Sequence, residues 1–242
     1  VTTQAHPAQR PFHPLLRRGW FDPLPRRIVR LPGVYRPQAD SVLLAEALRE
    51  AVMPPDARVL DLCTGSGVLA LTAAHLGAGD VTALDISRGA VISAWLNGQM
   101  NRLPVRVRRG DCYEAFALGT FDVVLANPPY VPCPPGTDSS ATWDAGPDGR
   151  SILDPLCANS IDLLRPGGFL LLVHSEFAGP AISLRRLRHS GLKAAIVARR
   201  HLPFGEVMRS RTDYLHSRGW CSAEPATEEV VVIRADRPNQ TN

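Results

Sequence analysis

The chain has 242 residues, 45% of them hydrophobic, which is enough apolar material for one core of ordinary domain size plus an appendage. Its 27 basic and 23 acidic side chains leave a net charge of +4, and Lys193 is the sole lysine. The cysteines (Cys63, Cys112, Cys133, Cys157 and Cys221) are scattered and odd in number, which argues against a disulfide framework and a structural zinc site. A reducing, cytoplasmic setting is expected, with no bound metal. No apolar run approaches a membrane span and no amino-terminal signal is recognisable, so no membrane association is expected.

The charge is uneven. Arg10, Arg17, Arg18, Arg26, Arg27, Arg30 and Arg36 face only Asp22 near the start, and Arg185, Arg186, Arg188, Lys193, Arg199 and Arg200 form a second set. An arginine-heavy genome accounts for such a bias, yet either set is a candidate contact for nucleic acid or for an acidic protein surface. Residues 1–33 carry Pro7, Pro11, Pro14, Pro23, Pro25 and Pro32 without a sustained period, and are expected to form a basic arm. Residues 34–242 are expected to form one catalytic domain.

After the arm comes Tyr35-Arg-Pro-Gln-Ala-Asp-Ser41, then helical spacing over Val42–Val52, with Asp40 or Ser41 as the expected cap and Pro54-Pro55 beyond the end. Strands follow at Val59–Cys63, Val81–Leu84, Val105–Val107 and Phe121–Ala126. Helical stretches over Val68–Leu76 and Ala90–Met100 and a short piece over Tyr113–Leu118 alternate with them. Beyond an irregular stretch from Val131 to Gly149, Ile152–Leu164 and Ala181–Ser190 read as helices. Gly168–His174, Leu192–Ala198 and Val230–Ile233 read as strands. Glu206–Arg218 has the spacing of an amphipathic helix stopped by Gly219. The alternation predicts an α/β fold, a doubly wound, mostly parallel seven-stranded sheet with helices on both faces.

The Phe121 strand ends in Asn127-Pro-Pro-Tyr130. Two prolines neither continue a ladder nor open a regular helix, so the turn presents an amide, a fixed carbonyl and an aromatic ring at the carboxyl edge of a core strand. Asn127 Oδ1 and the Pro128 carbonyl are two acceptors on a stiff backbone, matched to the two donors of a planar NH2, and Tyr130 is placed to stack on that flat group. A plain strand-ending turn is the other meaning of the same residues.

Asp61-Leu-Cys-Thr-Gly-Ser-Gly-Val-Leu-Ala70 follows the first strand and opens a helix. Gly65, Gly67 and Ala70 match a dinucleotide fingerprint, with Asp85 at 85 − 65 = 20 residues beyond, so a nicotinamide or flavin enzyme has to be weighed. Asp61 argues otherwise: a carboxylate there repels phosphate and welcomes a cation, and S-adenosylmethionine carries an ammonium and a sulfonium but no phosphate. Asp85 suits ribose hydroxyls and Asp111 the adenine amino group.

The stretches Tyr35–Ser41, Asp61–Gly67, Ala83-Leu-Asp-Ile86, Gly110-Asp111, Asn127–Tyr130 and Trp143-Asp-Ala-Gly-Pro-Asp-Gly-Arg150 together resemble the class I S-adenosylmethionine methyltransferases of the HemK/PrmC type, which methylate a glutamine amide of peptide-chain release factors. The resemblance implies a Rossmann-like methyltransferase sheet, S-adenosyl-L-methionine as cofactor, and Asn127, Pro128 and Tyr130 as the catalytic turn. It implies cofactor contacts from Pro37, Ser41, Asp61, Cys63, Thr64, Gly65, Gly67, Asp85, Ile86, Asp111, Cys112 and Asn127. The start of the chain is most like the short eukaryotic and archaeal members, which work with a small zinc-binding activator subunit. Cys63 departs from the pattern, standing where the loop usually has its first glycine, and residues 203–229 are longer than in the short members. The expected activity is N-methylation of a planar NH2, with a release-factor glutamine as the leading acceptor. The alternatives are an adenine or cytosine amino group in RNA or DNA, and a binding protein on a decayed enzyme fold.

Overall fold

The computed structural model describes residues 28–136, 140, 142–222, 224 and 227–239. Most of the basic arm therefore lies outside the described residues. Its last part runs along a helix: the Val29 backbone both donates to and accepts from the side chain of Asn97, at 2.7 and 2.8 Å, and Leu31 N donates to Ser93 Oγ.

The elements follow in the order α1 (Ala39–Glu50), β1 (Arg58–Leu62), α2 (Val68–His75), β2 (Asp80–Asp85), α3 (Arg88–Asn101), β3 (Val105–Arg109), β4 (Phe121–Ala126), α4 (Leu153–Leu163), β5 (Leu164–Ser175), α5 (Pro180–His189), β6 (Lys193–Pro203), α6 (Glu206–Ser210), α7 (Thr212–Ser217) and β7 (Thr227–Asp236). A single seven-stranded sheet runs β3-β2-β1-β4-β5-β7-β6. The strands from β3 to β5 are parallel, and β7 is antiparallel to both β5 and β6.

Parallel strands covered on both faces must be apolar on both faces. In β4, Val123 and Leu125 face the core beneath α1 and α2, whereas Val124 and Ala126 face the core beneath α4 and α5. In β5, Phe169, Leu171 and Val173 alternate with Leu170 and Leu172 in the same way. Strand order reverses between β1 and β4, which opens a crevice at their carboxyl ends.

Two local expectations need correction. The cap of α1 is Gln38, without a side-chain capping bond, and Asp40 and Ser41 lie inside the first turn with both side chains buried. The helix expected over Glu206–Arg218 is broken at Arg211, whose guanidinium reaches Asp144 at 3.1 Å, so the chain forms α6 and α7 instead. Gly219 ends α7 as expected, in the left-handed region at φ 69°. Within the second basic set, Arg186 pairs with Asp154, Arg199 with Glu229 and Arg200 with Glu46, and Arg188 donates to the Ala194 carbonyl.

Candidate active site

The glycine loop between β1 and α2 is drawn together by its own side chains. Asp61 is fully buried; its Oδ2 accepts from Thr64 Oγ1 at 2.5 Å and from Ala70 N at 2.9 Å, so strand end and helix start are tied to one carboxylate. Its Oδ1 has no partner among the described residues, and burial pushes the carboxyl up to about 7. The Ser66 carbonyl accepts from Asn97 Nδ2, which fixes the loop to α3. Gly67, at φ 84°, could not carry a side chain, because a Cβ would meet Ala94 Cβ at 2.9 Å. Its role is packing between α2 and α3. Over Gly65 the space is open: a Cβ there would find only Tyr35 Cβ, at 3.9 Å, so the segment bearing Pro37 passes beside the loop. Cys63 adopts φ 56°, a left-handed conformation that favours glycine, and burial pushes its thiol up.

At the end of β2, Asp85 accepts from Gly65 N and Ser87 N, each at 2.9 Å. These bonds use one lone pair on each oxygen and leave the others for a ligand's hydroxyls. The next residue, Ile86, is 59% exposed, an apolar side chain held out at the strand edge beside Asp85. Asp111, beyond β3, accepts from Tyr113 N and Glu114 N through Oδ1, while Glu114 accepts from Asp111 N. That reciprocal pair opens a 3-10 turn at Glu114–Leu118 and also fixes the half-exposed Cys112.

Across the crevice, Asn127 leaves β4. Its Nδ2 donates to Asp40 Oδ2 at 3.1 Å and to Ser41 Oγ at 3.2 Å. Among the described residues no donor meets Asn127 Oδ1 or the Pro128 carbonyl. Tyr130 donates its hydroxyl to Asp40 at 3.2 Å, and its ring packs between the core beneath α4 and a smaller cluster of Val131, Phe204, Met208 and Leu215. Burial, then Asp40, pushes the phenol well up, so it stays a donor.

The stretch after the turn is its clamp. Val131 N donates to the Trp143 carbonyl, Ala145 N to the Val131 carbonyl and Cys133 N to the Gly146 carbonyl. Gly149, at φ 71°, lies so close to the Tyr130 carbonyl that any Cβ would overlap it. Arg150 is buried and joins this segment to the end of β5 and to α5, through the Ala178 carbonyl and Ser183. Arg211 pairs with Asp144, and Tyr214 donates to the Pro147 carbonyl, so residues 203–220 hold the clamp from outside. His174 is a buried, neutral core residue, lowered by burial to about 4, with Nδ1 on the Ser175 carbonyl.

The sequence comparisons agree with this geometry. The model of the methyltransferase small domain matches residues 26–188. The chain belongs to that methyltransferase family. A protein of Methanocaldococcus jannaschii named as a putative protein N5-glutamine methyltransferase is 33% identical over 181 residues, covering 73% of this chain and 90% of that one. A release factor glutamine methyltransferase of Moorella thermoacetica is 34% identical, but this chain spans only 58% of its length. Among solved structures, the E. cuniculi Mtq2–Trm112 complex, described as methylating the eRF1 translation termination factor, superposes with a TM-score of 0.58 at 25% identity. It covers 85% of this methyltransferase and 99% of the matched chain.

The cofactor of the family, S-adenosylmethionine, fits what the site offers. The open backbone over Gly65, the remaining acceptor capacity of Asp85, exposed Ile86 and Asp61 Oδ1, without a partner among the described residues, are chemically compatible with it. Asp40, which meets Asn127 and Tyr130 across the crevice, was not among the site residues expected from the sequence; its place in the Tyr35–Ser41 stretch pointed only to a helix cap.

Proposed function

We propose that this methyltransferase transfers a methyl group to the side-chain amide nitrogen of a glutamine in a peptide-chain release factor. One observation carries the reading. The Asn127 NH2 is committed to Asp40 and Ser41, so its oxygen and the Pro128 carbonyl are left as paired acceptors for a planar NH2. The names of the Methanocaldococcus, Moorella and E. cuniculi proteins make a glutamine amide the acceptor this reading selects.

When bound, the cofactor supplies a methyl group on a positively charged sulfur. In the reading proposed here, Asp85 accepts its ribose hydroxyls, Ile86 packs against its base, Asp111 accepts from the adenine amine, and Asp61 faces its ammonium. Thr64 acts through Asp61. Pro37, Ser41, Cys63 and Cys112 complete the walls. An amide nitrogen is a poor nucleophile because its lone pair is delocalised onto the carbonyl. Two acceptors drawing on its N–H groups localise that pair and aim it at the methyl carbon. Transfer would form the new N–C bond from that pair, with the C–S electrons returning to sulfur and one N–H proton leaving to water. Both hydrogen bonds strengthen as positive charge grows on nitrogen, so they stabilise the transition state more than the bound amide. Holding the reactants in line supplies the rest. Tyr130 flanks the acceptor plane.

A small activator subunit, like the Trm112 found with the E. cuniculi protein, belongs to this proposal, as do the zinc site of such a subunit and a cytoplasmic location. No helix among the described residues is long and apolar enough to cross a membrane. The test is transfer of a labelled methyl group to purified release factor and to purified RNA, each with and without such a subunit. Label in the release factor is the expected result; label confined to RNA would contradict the glutamine reading.

A further inference from the structure

Asp40 is 4% exposed; beyond its bonds to neighbouring Ser41, it gathers side chains from Tyr35 before the helix and from Asn127 and Tyr130 far along the chain. Oδ2 accepts from the Tyr35 hydroxyl at 2.7 Å, from Asn127 Nδ2 at 3.1 Å and from the Tyr130 hydroxyl at 3.2 Å. Oδ1 accepts from Ser41 N at 2.6 Å and from Ser41 Oγ at 3.2 Å. A carboxylate offers only acceptors, whereas an amide offers acceptors on one side and donors on the other. The side of Asn127 that meets Asp40 must therefore be its NH2, and the oxygen must point away. Taking the catalytic turn as read under Proposed function, we propose that Asp40 is a positioning residue that holds the Asn127 amide in the orientation presenting its oxygen to the methyl acceptor. A half-turn about the terminal bond of Asn127 would set its NH2 against the acceptor's NH2, donor against donor. It would also leave an amide oxygen facing a carboxylate, with neither group satisfied. Tyr35 and Tyr130 bind the same oxygen, so one atom registers the segment before α1, the end of β4 and the turn.

Behind this cluster lies Glu228, on β7 and 8% exposed, with Ser175 hydrogen-bonded to it and Oε2 without a partner among the described residues. The titratable groups that act on it, or that it acts on, are Asp40, Tyr35, Tyr130 and Glu176; His201 of β6 faces the neighbouring Glu229 instead. Burial raises Glu228 to about 7, with Asp40 adding to the rise. Below that pH it places no second negative charge beside Asp40, and above it does. The orientation lock consequently sits next to a group that changes charge near neutrality.

The test uses Asp40→Asn, which keeps the buried volume but replaces an acceptor-only group by one with two faces. Turnover on a glutamine acceptor should fall about 10²-fold, the scale of a misplaced reacting group. Affinity for S-adenosylhomocysteine should fall far less than turnover, because Asp40 meets the proposed cofactor walls only through Ser41 and Asn127. In 15N-labelled protein, the side-chain NH2 resonances of Asn127, assigned by their loss in Asn127→Ser, should be downfield and slow to exchange in wild type. They should be neither in Asp40→Asn. The proposal is overturned by turnover within about threefold of wild type, by turnover and cofactor affinity falling together, or by unchanged resonances. If the wild type leaves glutamine acceptors unmethylated, the proposed function fails, while the resonances still decide the role of Asp40. Should Asp40→Asn not fold, the wild-type protein decides: Asn127 side-chain NH2 resonances that are neither downfield nor slow to exchange overturn the proposal.

Discussion

Asn127 donates its side-chain NH2 to Asp40, 87 residues earlier in the chain, and that bond decides which face of the amide is left for a substrate. In the role proposed above, the buried Asp40 carboxylate, with Ser41 Oγ, takes the Asn127 NH2 and leaves its oxygen as the aimed acceptor. Replacing Asn127 by Ala should lower turnover by about 10²–10³-fold, the range for loss of one preorganised hydrogen-bonding group. Cofactor affinity should change by no more than about twofold, as measured by calorimetry, since the group acts on the transition state.

In the role proposed for it, Asp61 acts on cofactor binding through its charge. Its carboxyl is raised to about 7 by burial, and a cationic ligand beside Oδ1 would favour the ionised form. Binding then releases a proton, so affinity for S-adenosylmethionine should rise from pH 5.5 to about 7 and level off above it. Asp61→Asn should bind weakly with no such slope. An equal slope in the variant would show that another group is responsible.

Gly149→Ala tests the clamp. The new methyl would overlap the Tyr130 carbonyl, and φ 71° is unfavourable for alanine, so the turn or the segment must move. A loss of about 2–4 kcal/mol of stability is expected from overpacking and left-handed strain together. Turnover should fall further than the folded fraction does, which parallel denaturation and activity measurements would separate.

Glu228 gives a stability signature. Its folded-state carboxyl, at about 7, lies above the ordinary 4.5, so between those values the native state holds a proton that the unfolded chain has lost. Stability then falls as pH rises through this window. Glu228→Gln should become progressively more stable relative to wild type from pH 5 to pH 8, by a few kcal/mol at most. Taking the difference between the two proteins cancels the opposite contribution of His174, lowered to about 4 and favouring the native state as pH rises through 4–6.5.

Cys63→Gly should relieve the left-handed strain at φ 56°. Against the added flexibility of glycine in the unfolded chain, a net gain of roughly 0.5–1 kcal/mol is expected in denaturant titration. A loss would mean that the thiol packs better than its backbone suggests.

The elements that the sequence makes legible are those whose cause is local. Apolar runs such as Val123–Ala126 marked the core strands, and the glycine loop and the Asn127 turn named their own positions at strand ends. The antiparallel insertion of β7 between β5 and β6 was not legible, since only register between distant segments decides it. The same holds for Asp40, whose donors come from Tyr35, Asn127 and Tyr130, and for the break at Arg211, which answers to Asp144 rather than to its neighbours. Local propensity marked a helix start at Asp40, which the structure places one residue earlier, and an unbroken helix through Arg211, where the pairing with Asp144 prevailed.

The most direct test of the whole account is tandem mass spectrometry of a release factor incubated with this enzyme and S-adenosylmethionine. The predicted result is one added methyl on a single glutamine side-chain amide, absent with Asn127→Ala. A methyl group on lysine, arginine or the amino terminus, or none on protein while RNA is methylated, would contradict the account, because the paired acceptors at Asn127 and Pro128 would then serve a different group.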